Sequence, residues 1–289
     1  RGYGRSSKFH AASAYRIDQL VGDVLGVIRH YDSGPAVVVG HDWGAPVAWT
    51  TAWLHPELVR GVVGVSIPFA GRGLIGLPGN PFGEIRPSAY HDRFTGPDQI
   101  FYQQYFGERG AIIDEIEAGL RDWLLGILYT VSGEAVAAAA QAGQIPADPL
   151  EALRTGPLCL SRQARLKDAF VMPESLPDWL TEDDLAFFVA ELQYSGLAGP
   201  LGYYHQVDAG WEWLEAHAGA PLVPPALFIG GEFDVGTAWG VDNIKQAQAH
   251  CGAYRGSHIV PGSGHWIQQE KPEETNRCLL HFLASLGQR

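Results

Sequence analysis

Positive charge is scarce in this chain. Its 20 lysines and arginines face 32 aspartates and glutamates, a formal net charge of -12. A phosphate backbone would be repelled and no basic stripe offsets this, so no nucleic-acid partner is expected. An anionic membrane surface is disfavoured for the same reason. Cysteine is sparse too. Cys159, Cys251 and Cys278 lie far apart and make neither a metal-ligand spacing nor an even disulfide framework. A reducing compartment, the cytoplasm, is the plain expectation. No apolar run approaches membrane-spanning length, so no membrane segment is expected. Repeats and low-complexity tracts are absent. So is an initiator methionine: the chain opens at Arg1-Gly2-Tyr3-Gly4-Arg5-Ser6-Ser7, which reads as a loop in mid-domain. What these absences leave is an ordinary globular composition, 46% hydrophobic and 18% charged. Its 289 residues suffice for one sizeable core and an inserted second domain.

Hydrophobic periodicity organises the rest. Ile17, Leu20, Val21, Val24, Val27, Ile28 and Tyr31 recur at helical spacing, and Asp32-Ser33-Gly34-Pro35 ends the helix. Ala36 to Val39 reads as a strand buried on both faces, residues 45–54 as a helix with Pro46 in its first turn, and Val59 to Ile67 as a second strand. Strand, helix and strand at this spacing make a βαβ unit. A Gly- and Pro-rich loop is expected over 69–99, then helices over 100–215 without a strong strand. One of these carries Ile112, Ile113, Ile116, Leu120, Leu124, Ile127 and Leu128, and another covers 133–144. The strand pattern returns at 225–229 and 257–260, with residues 246–251 ending a helix between them. A last helix starts near Pro272 and buries Thr275, Cys278, Leu279, Phe282 and Leu286. The expected architecture is α/β, with sheet-domain parts at 1–70 and 216–289 around a helical insertion at 71–215.

Asp42 carries the strongest chemical signal. It stands between a buried-type strand and a helix, with Gly40 and Gly44 two places to either side. This is the layout of a nucleophile elbow, with Asp where Ser usually stands. The glycines are expected because a Cβ would clash in so sharp a turn. A structural helix-capping Asp is the competing reading. His265 follows the last strand in the loop Pro261-Gly262-Ser263-Gly264, a seat suited to a general base. Asp234 follows the strand at 225–229 and is expected to hold the ring N–H of His265, with Glu232 as a near competitor. Carboxylate attack on a saturated carbon leaves an ester that water can cleave, whereas serine attack would leave an ether. The elbow therefore points to epoxides or haloalkanes rather than ordinary esters.

These segments resemble the epoxide hydrolase family of the α/β-hydrolase fold. The resemblance rests on Arg1-Gly2-Tyr3-Gly4-Arg5-Ser6-Ser7, on Gly40-His41-Asp42-Trp43-Gly44-Ala45 and on Gly264-His265-Trp266, and it extends over nearly the whole chain. It implies that the helical insertion is a cap carrying two tyrosines that bind the epoxide oxygen. The matching segments are Phe101-Tyr102-Gln103-Gln104-Tyr105-Phe106 and Gly199-Pro200-Leu201-Gly202-Tyr203-Tyr204. Tyr102 and Tyr204 are the expected pair, with Tyr105 and Tyr203 as adjacent competitors. The resemblance also implies an oxyanion N–H on Trp43 and a substrate site lined by Trp43, Gln103, Phe69 and Trp266. A His-Gly-x-Pro loop seen upstream in the family is not found before Asp42. The expectation is that an amino-terminal part of the sheet domain lies outside this chain.

The expected activity converts a small apolar epoxide to a vicinal diol through an ester on Asp42, with no metal and no organic cofactor. A haloalkane dehalogenase would share the elbow and use the Trp43 indole N–H for the halide. A non-catalytic ligand-binding protein of the same fold is the third reading. A homodimer is the default expectation for the assembly.

Overall fold

In the computed structural model, residues 1–31, 34–108 and 112–287 are described. Asp32 and Ser33 of the expected helix breaker lie outside them. Helix α1 (Ile17–Tyr31) buries Ile17, Leu20, Val21 and Leu25. Its stripe is shorter than the spacing implies, because Val27 and Tyr31 face solvent. Strand β1 (Ala36–His41) leads through Asp42 and Trp43 into α2 (Gly44–Leu54), and β2 (Val59–Val65) follows. The expected two-sided burial of 36–39 is not found. Val39 is exposed, because β1 forms an edge of the sheet among the described residues.

The next segment departs from the expected loop over 69–99. Helix α3 (Pro87–Thr95) lies within it, started by Pro87 in the first turn, where a missing N–H costs nothing. A short strand β3 (Gln99–Phe101) then runs into α4 (Tyr102–Glu108). The stripe expected to run as one helix through 112–128 is two helices, α5 (Ile112–Glu117) and α6 (Leu120–Thr130). Gly119, at φ -160° and ψ 50°, separates them in a non-helical conformation that interrupts the helical ladder. Helix α7 (Gly133–Gln141) is capped by the Ser132 hydroxyl, and α8 (Pro149–Thr155) by Asp148. Strand β4 (Cys159–Ser161) pairs antiparallel with β3, a strand pair the sequence pattern does not disclose. Three residues are too few for alternation to register. The pair matters because the Tyr102 N–H donates to Leu158 O at 2.8 Å, which fixes the start of α4. Helices α9 (Glu182–Ser195), α10 (Ala198–Gly202) and α11 (Val207–Trp213) complete the helical region.

Strand β5 (Leu222–Gly231) returns to the sheet and is followed by α12 (Val235–Trp239) and α13 (Val241–His250). Strand β6 begins at Cys251 and ends at Val260, so Cys251 opens a strand where a helix end was expected. Helices α14 (Ile267–Glu270) and α15 (Pro272–Ser285) close the fold. On α15, Thr275 and Phe282 are buried, and Cys278, Leu279 and Leu286 pack partly buried beside the core. The strands are all parallel in the order β1-β2-β5-β6. Gly64 lets the Trp49 indole lie directly on β2, where any Cβ would overlap the ring. Register brings the carboxyl ends of the strands level, with His41 beside Val65 and Val65 beside Ile229. Open parallel sheets place their ligands at that edge.

No single helix among the described residues is long and apolar enough to cross a membrane.

Candidate active site

The elbow is built as its spacing implies, with one correction. Asp42 adopts a φ of 51°, a left-handed conformation rare for a residue with a side chain. Gly40 is sterically required, since a Cβ there would collide with the Gly44 carbonyl. Gly44 is not: a Cβ there would meet nothing within 4 Å. The capping alternative for Asp42 also fails on geometry. The Ala45 N–H goes to the Asp42 carbonyl oxygen at 2.9 Å, and the carboxylate turns instead to His265.

His265 lies between two carboxylates. Its Nδ1 is 3.0 Å from Asp234 Oδ1, and its Nε2 is 3.3 Å from Asp42 Oδ2. The Asp234 side chain is fully buried, whereas that of Asp42 keeps 36% exposure, so the carboxylate remains open to a ligand. Burial pushes the Asp42 carboxyl upward, but the His265 contact, the His41 ring and the Trp43 backbone N–H outweigh it and hold the group at about 2. For His265 burial opposes charge, and the two carboxylates overcome it, raising the imidazole to about 10. In this state the pair is carboxylate and imidazolium.

Asp234 is anchored on every side. Its Oδ1 accepts from His265 and from the Gly236 N–H, and its Oδ2 accepts from Ser66 Oγ, the Thr237 N–H and Thr237 Oγ1. Glu232, the competitor, is used elsewhere: its Oε2 accepts the Gly262 N–H at 2.8 Å.

The tyrosines sort themselves in the same way. The Tyr102 and Tyr204 rings meet edge to face, their centroids 5.9 Å apart, and Tyr204 also meets the Trp43 indole at 5.3 Å. Burial, first, and the Asp42 charge both raise the phenol of Tyr102. Burial, Tyr102 and Asp42 raise that of Tyr204. Both phenols are therefore neutral donors close to Asp42. Tyr105 is taken up by the core, its hydroxyl donating to Glu115. Tyr203 turns toward the chain start, packing on Tyr3 and Tyr15.

Two expected lining residues belong elsewhere. Phe69 packs edge-on against Trp49 and Trp53 in the core. Trp266 stands behind the histidine, its ring 4.8 Å from His265 and its indole N–H donating to Leu128 O. Gln103 is buried beside the pair, its amide donating to the Tyr102 hydroxyl at 3.3 Å. Trp43 lines a small pocket with Gln103 and His91, and its buried indole N–H makes no hydrogen bond of normal geometry, although it faces and acts on the Tyr204 hydroxyl.

Several contributors escape a reading of the sequence. His41 donates from Nε2 to the His265 carbonyl at 2.7 Å. Glu270 gathers the N–H groups of Gly133, Gly264 and Trp266, and His265 N–H itself donates to Val131 O. These bonds tie the histidine loop to the head of α7. Ser66, at the end of β2, reaches both Asp234 and His265. A polar residue at the carboxyl end of a parallel strand was the available signal for Ser66. A mostly apolar cavity of about 490 Å³ lies between α7, α8 and the stretch from Phe233 to Trp239; of Asp42, Asp234, His265, Tyr102 and Tyr204, only Asp234 touches it. Among the described residues, one group could hold a metal ion: His258, Glu274 and Cys278 on β6 and α15. There Glu274 is already bonded to His258 and Arg277.

Fold and geometry together define an enzyme of the α/β-hydrolase class with a carboxylate at the elbow. A model of the alpha/beta hydrolase fold family matches residues 1–86. Epoxide hydrolase B of Mycobacterium tuberculosis is 57% identical over 292 residues, covering 99% of this chain and 82% of that relative. Epoxide hydrolase A of the same organism is 32% identical, covering 100% of this chain and 81% of that protein. An epoxide hydrolase from an endophytic Streptomyces superposes with a TM-score of 0.86 at 39% identity, over 99% of this chain and 79% of that structure. The chain belongs to the epoxide hydrolase family.

Proposed function

We infer that this enzyme opens an epoxide through an ester on Asp42, with the region expected at 71–215 acting as a cap over the sheet edge. The observation that carries the reading is the meeting of two neutral phenols, Tyr102 and Tyr204, beside a carboxylate held ionised by His265. Asp42 attacks a ring carbon and the C–O bond breaks. The alkoxide takes a proton from a phenol, so the donors act on charge that develops only as the ring opens.

Ester formation removes the Asp42 charge, one of the two that hold the His265 proton. His265 gives that proton up, and the phenol is restored. The neutral imidazole then takes a proton from water as its oxygen adds to the ester carbonyl, beside the Trp43 backbone N–H. The acyl C–O bond breaks, the second proton of water goes to the departing diol oxygen, and Asp42 and the imidazolium are regenerated. Asp234 holds the ring throughout.

The dehalogenase reading draws on the Trp43 indole N–H, which makes no hydrogen bond of normal geometry. A halide leaving group needs no proton, so the phenol pair would be idle. Incubation with a simple aryl epoxide and, separately, a haloalkane decides between them. Diol release faster than halide release is expected, and the reverse would replace this reading.

A further inference from the structure

We propose that Ser66 is a positioning residue for the ester-hydrolysis half of the reaction, its hydroxyl holding Asp234 and the His265 ring in the tautomer whose Nε2 faces the water. This rests on His265 acting as the base.

Ser66 is fully buried, and its hydroxyl has two side-chain partners, Asp234 Oδ2 at 2.8 Å and His265 Nδ1 at 3.0 Å. Burying a hydroxyl is unfavourable unless it is bonded, so a position that only filled space would favour alanine. The backbone there is also unusual. Ser66 has a φ of 72°, and with Asp42 and Leu74 it completes the non-glycine residues at positive φ among those described. Such a conformation persists where its surroundings enforce it. They do here. The Ser66 N–H donates to Ile229 O on β5 at 2.9 Å, while the preceding carbonyl, Val65 O, accepts the Asp42 N–H at 3.3 Å. The residue is thus pinned between the strand that bears the nucleophile and the strand that bears the acid. Gly236 leaves room for it, because a Cβ there would lie 2.8 Å from Ser66 Oγ.

The hydroxyl has one proton. Given to Asp234 Oδ2, it turns a lone pair toward His265 Nδ1, which must then carry a hydrogen. Asp234 Oδ1 faces the same Nδ1 at 3.0 Å and makes the same demand. In the neutral ring the proton therefore sits on Nδ1, and Nε2 is left as the acceptor for water. The opposite tautomer would set the Nδ1 lone pair against a carboxylate oxygen. The charged or titratable groups around the ring are Asp42 at Nε2, Asp234 at Nδ1 and His41 beside its face.

The role predicts a split between the two half-reactions. Ser66→Gly removes the hydroxyl while suiting the positive φ, and Ser66→Ala removes it while keeping the Cβ. Ring opening draws on the Asp42 carboxylate and the phenols, and the His265 proton moves only after it, so ester formation is expected to proceed as in the parent. Hydrolysis is expected to slow roughly tenfold to a hundredfold. In steady-state diol formation kcat then falls, KM falls with it, and kcat/KM stays at the parent value. Mass spectrometry at steady state should show more substrate-sized adduct on the Asp42 peptide than in the parent. A general loss of structure would instead lower kcat/KM and leave no adduct. Parent-like kcat in both variants, or a kcat/KM that falls as far as kcat, overturns the proposal. No adduct on Asp42 even when the parent is quenched rapidly during turnover overturns the ester reading itself, and Ser66 with it.

Discussion

The acid at the end of β5 and the phenols of the helical region are held in contrasting ways. Asp234 has both oxygens filled by Ser66, Gly236, Thr237 and His265. Tyr102 is located by rings, with Phe101, Phe106, Tyr204 and Trp239 packed about it, and its hydroxyl meets the Gln103 amide at a long 3.3 Å. The first arrangement fixes a charge before any ligand arrives. The second fixes an apolar body and leaves its polar tip for a ligand, which suits a donor whose acceptor appears only during the reaction.

Breaking the sheet side should cost most. Asp42→Ala removes the carboxylate proposed as nucleophile, and diol formation is expected to fall by about 10⁴-fold or more in a protein that still folds. Substantial turnover by that variant would place the chemistry elsewhere. On the helical side, Tyr102→Phe or Tyr204→Phe removes one donor and little volume. Each should cost about a hundredfold in rate, and the double variant far more, because neither phenol can then cover for the other. A folded double variant working at the parent rate would remove the pair from the mechanism.

Glu270 joins the two regions. Glu270→Gln leaves one acceptor oxygen where two served and sets an NH2 against at least one of the three backbone N–H groups, so it should cost about 1–3 kcal/mol in urea unfolding, with a smaller loss of rate than either tyrosine change. Unchanged stability would show that the tie is dispensable.

The effect of pH should have opposite signs in the two regions, and it is read in stability rather than in rate. His91, buried on α3 and uncharged, is pushed down to about 4 by burial. Its neutral form is favoured by folding, so stability is lost as pH falls from about 6.5 towards 4, by about 3 kcal/mol at most. The His265 imidazole is raised to about 10 by its carboxylates, so its contribution is complete below about 6.5 and is lost as pH rises through 10. Unfolding free energies across this range should peak near 6.5, and His91→Leu should flatten the acid side alone. An acid limb that persists unchanged in His91→Leu would assign it to other groups.

The sheet region was legible in the sequence because its chemistry is local. Asp42, Asp234 and His265 each follow an apolar strand, and parallel register carries all three to one edge. The phenol pair was legible only through family resemblance. Tyr102 opens α4 and Tyr105 follows three residues on, about one turn later, so the sequence offers either, and burial against Glu115 is what removes Tyr105. Phe69 and Trp266 show the limit of reading aromatic residues near a site: Phe69 packs on Trp49 and Trp53, and Trp266 packs edge to face on His265 itself. Ser66 and Glu270 went unseen since each acts across strands or loops distant in sequence, where no periodicity points.

The two regions meet in one proposed intermediate, a covalent ester on Asp42 that His265 then clears. His265→Gln keeps the nucleophile and removes the base. Intact mass after mixing this variant with an aryl epoxide, followed by peptide mapping, tests this directly. A stable adduct of one substrate mass is expected on the peptide containing Asp42, formed in a single turnover. Multiple turnover without an adduct, or an adduct on another peptide, would contradict it.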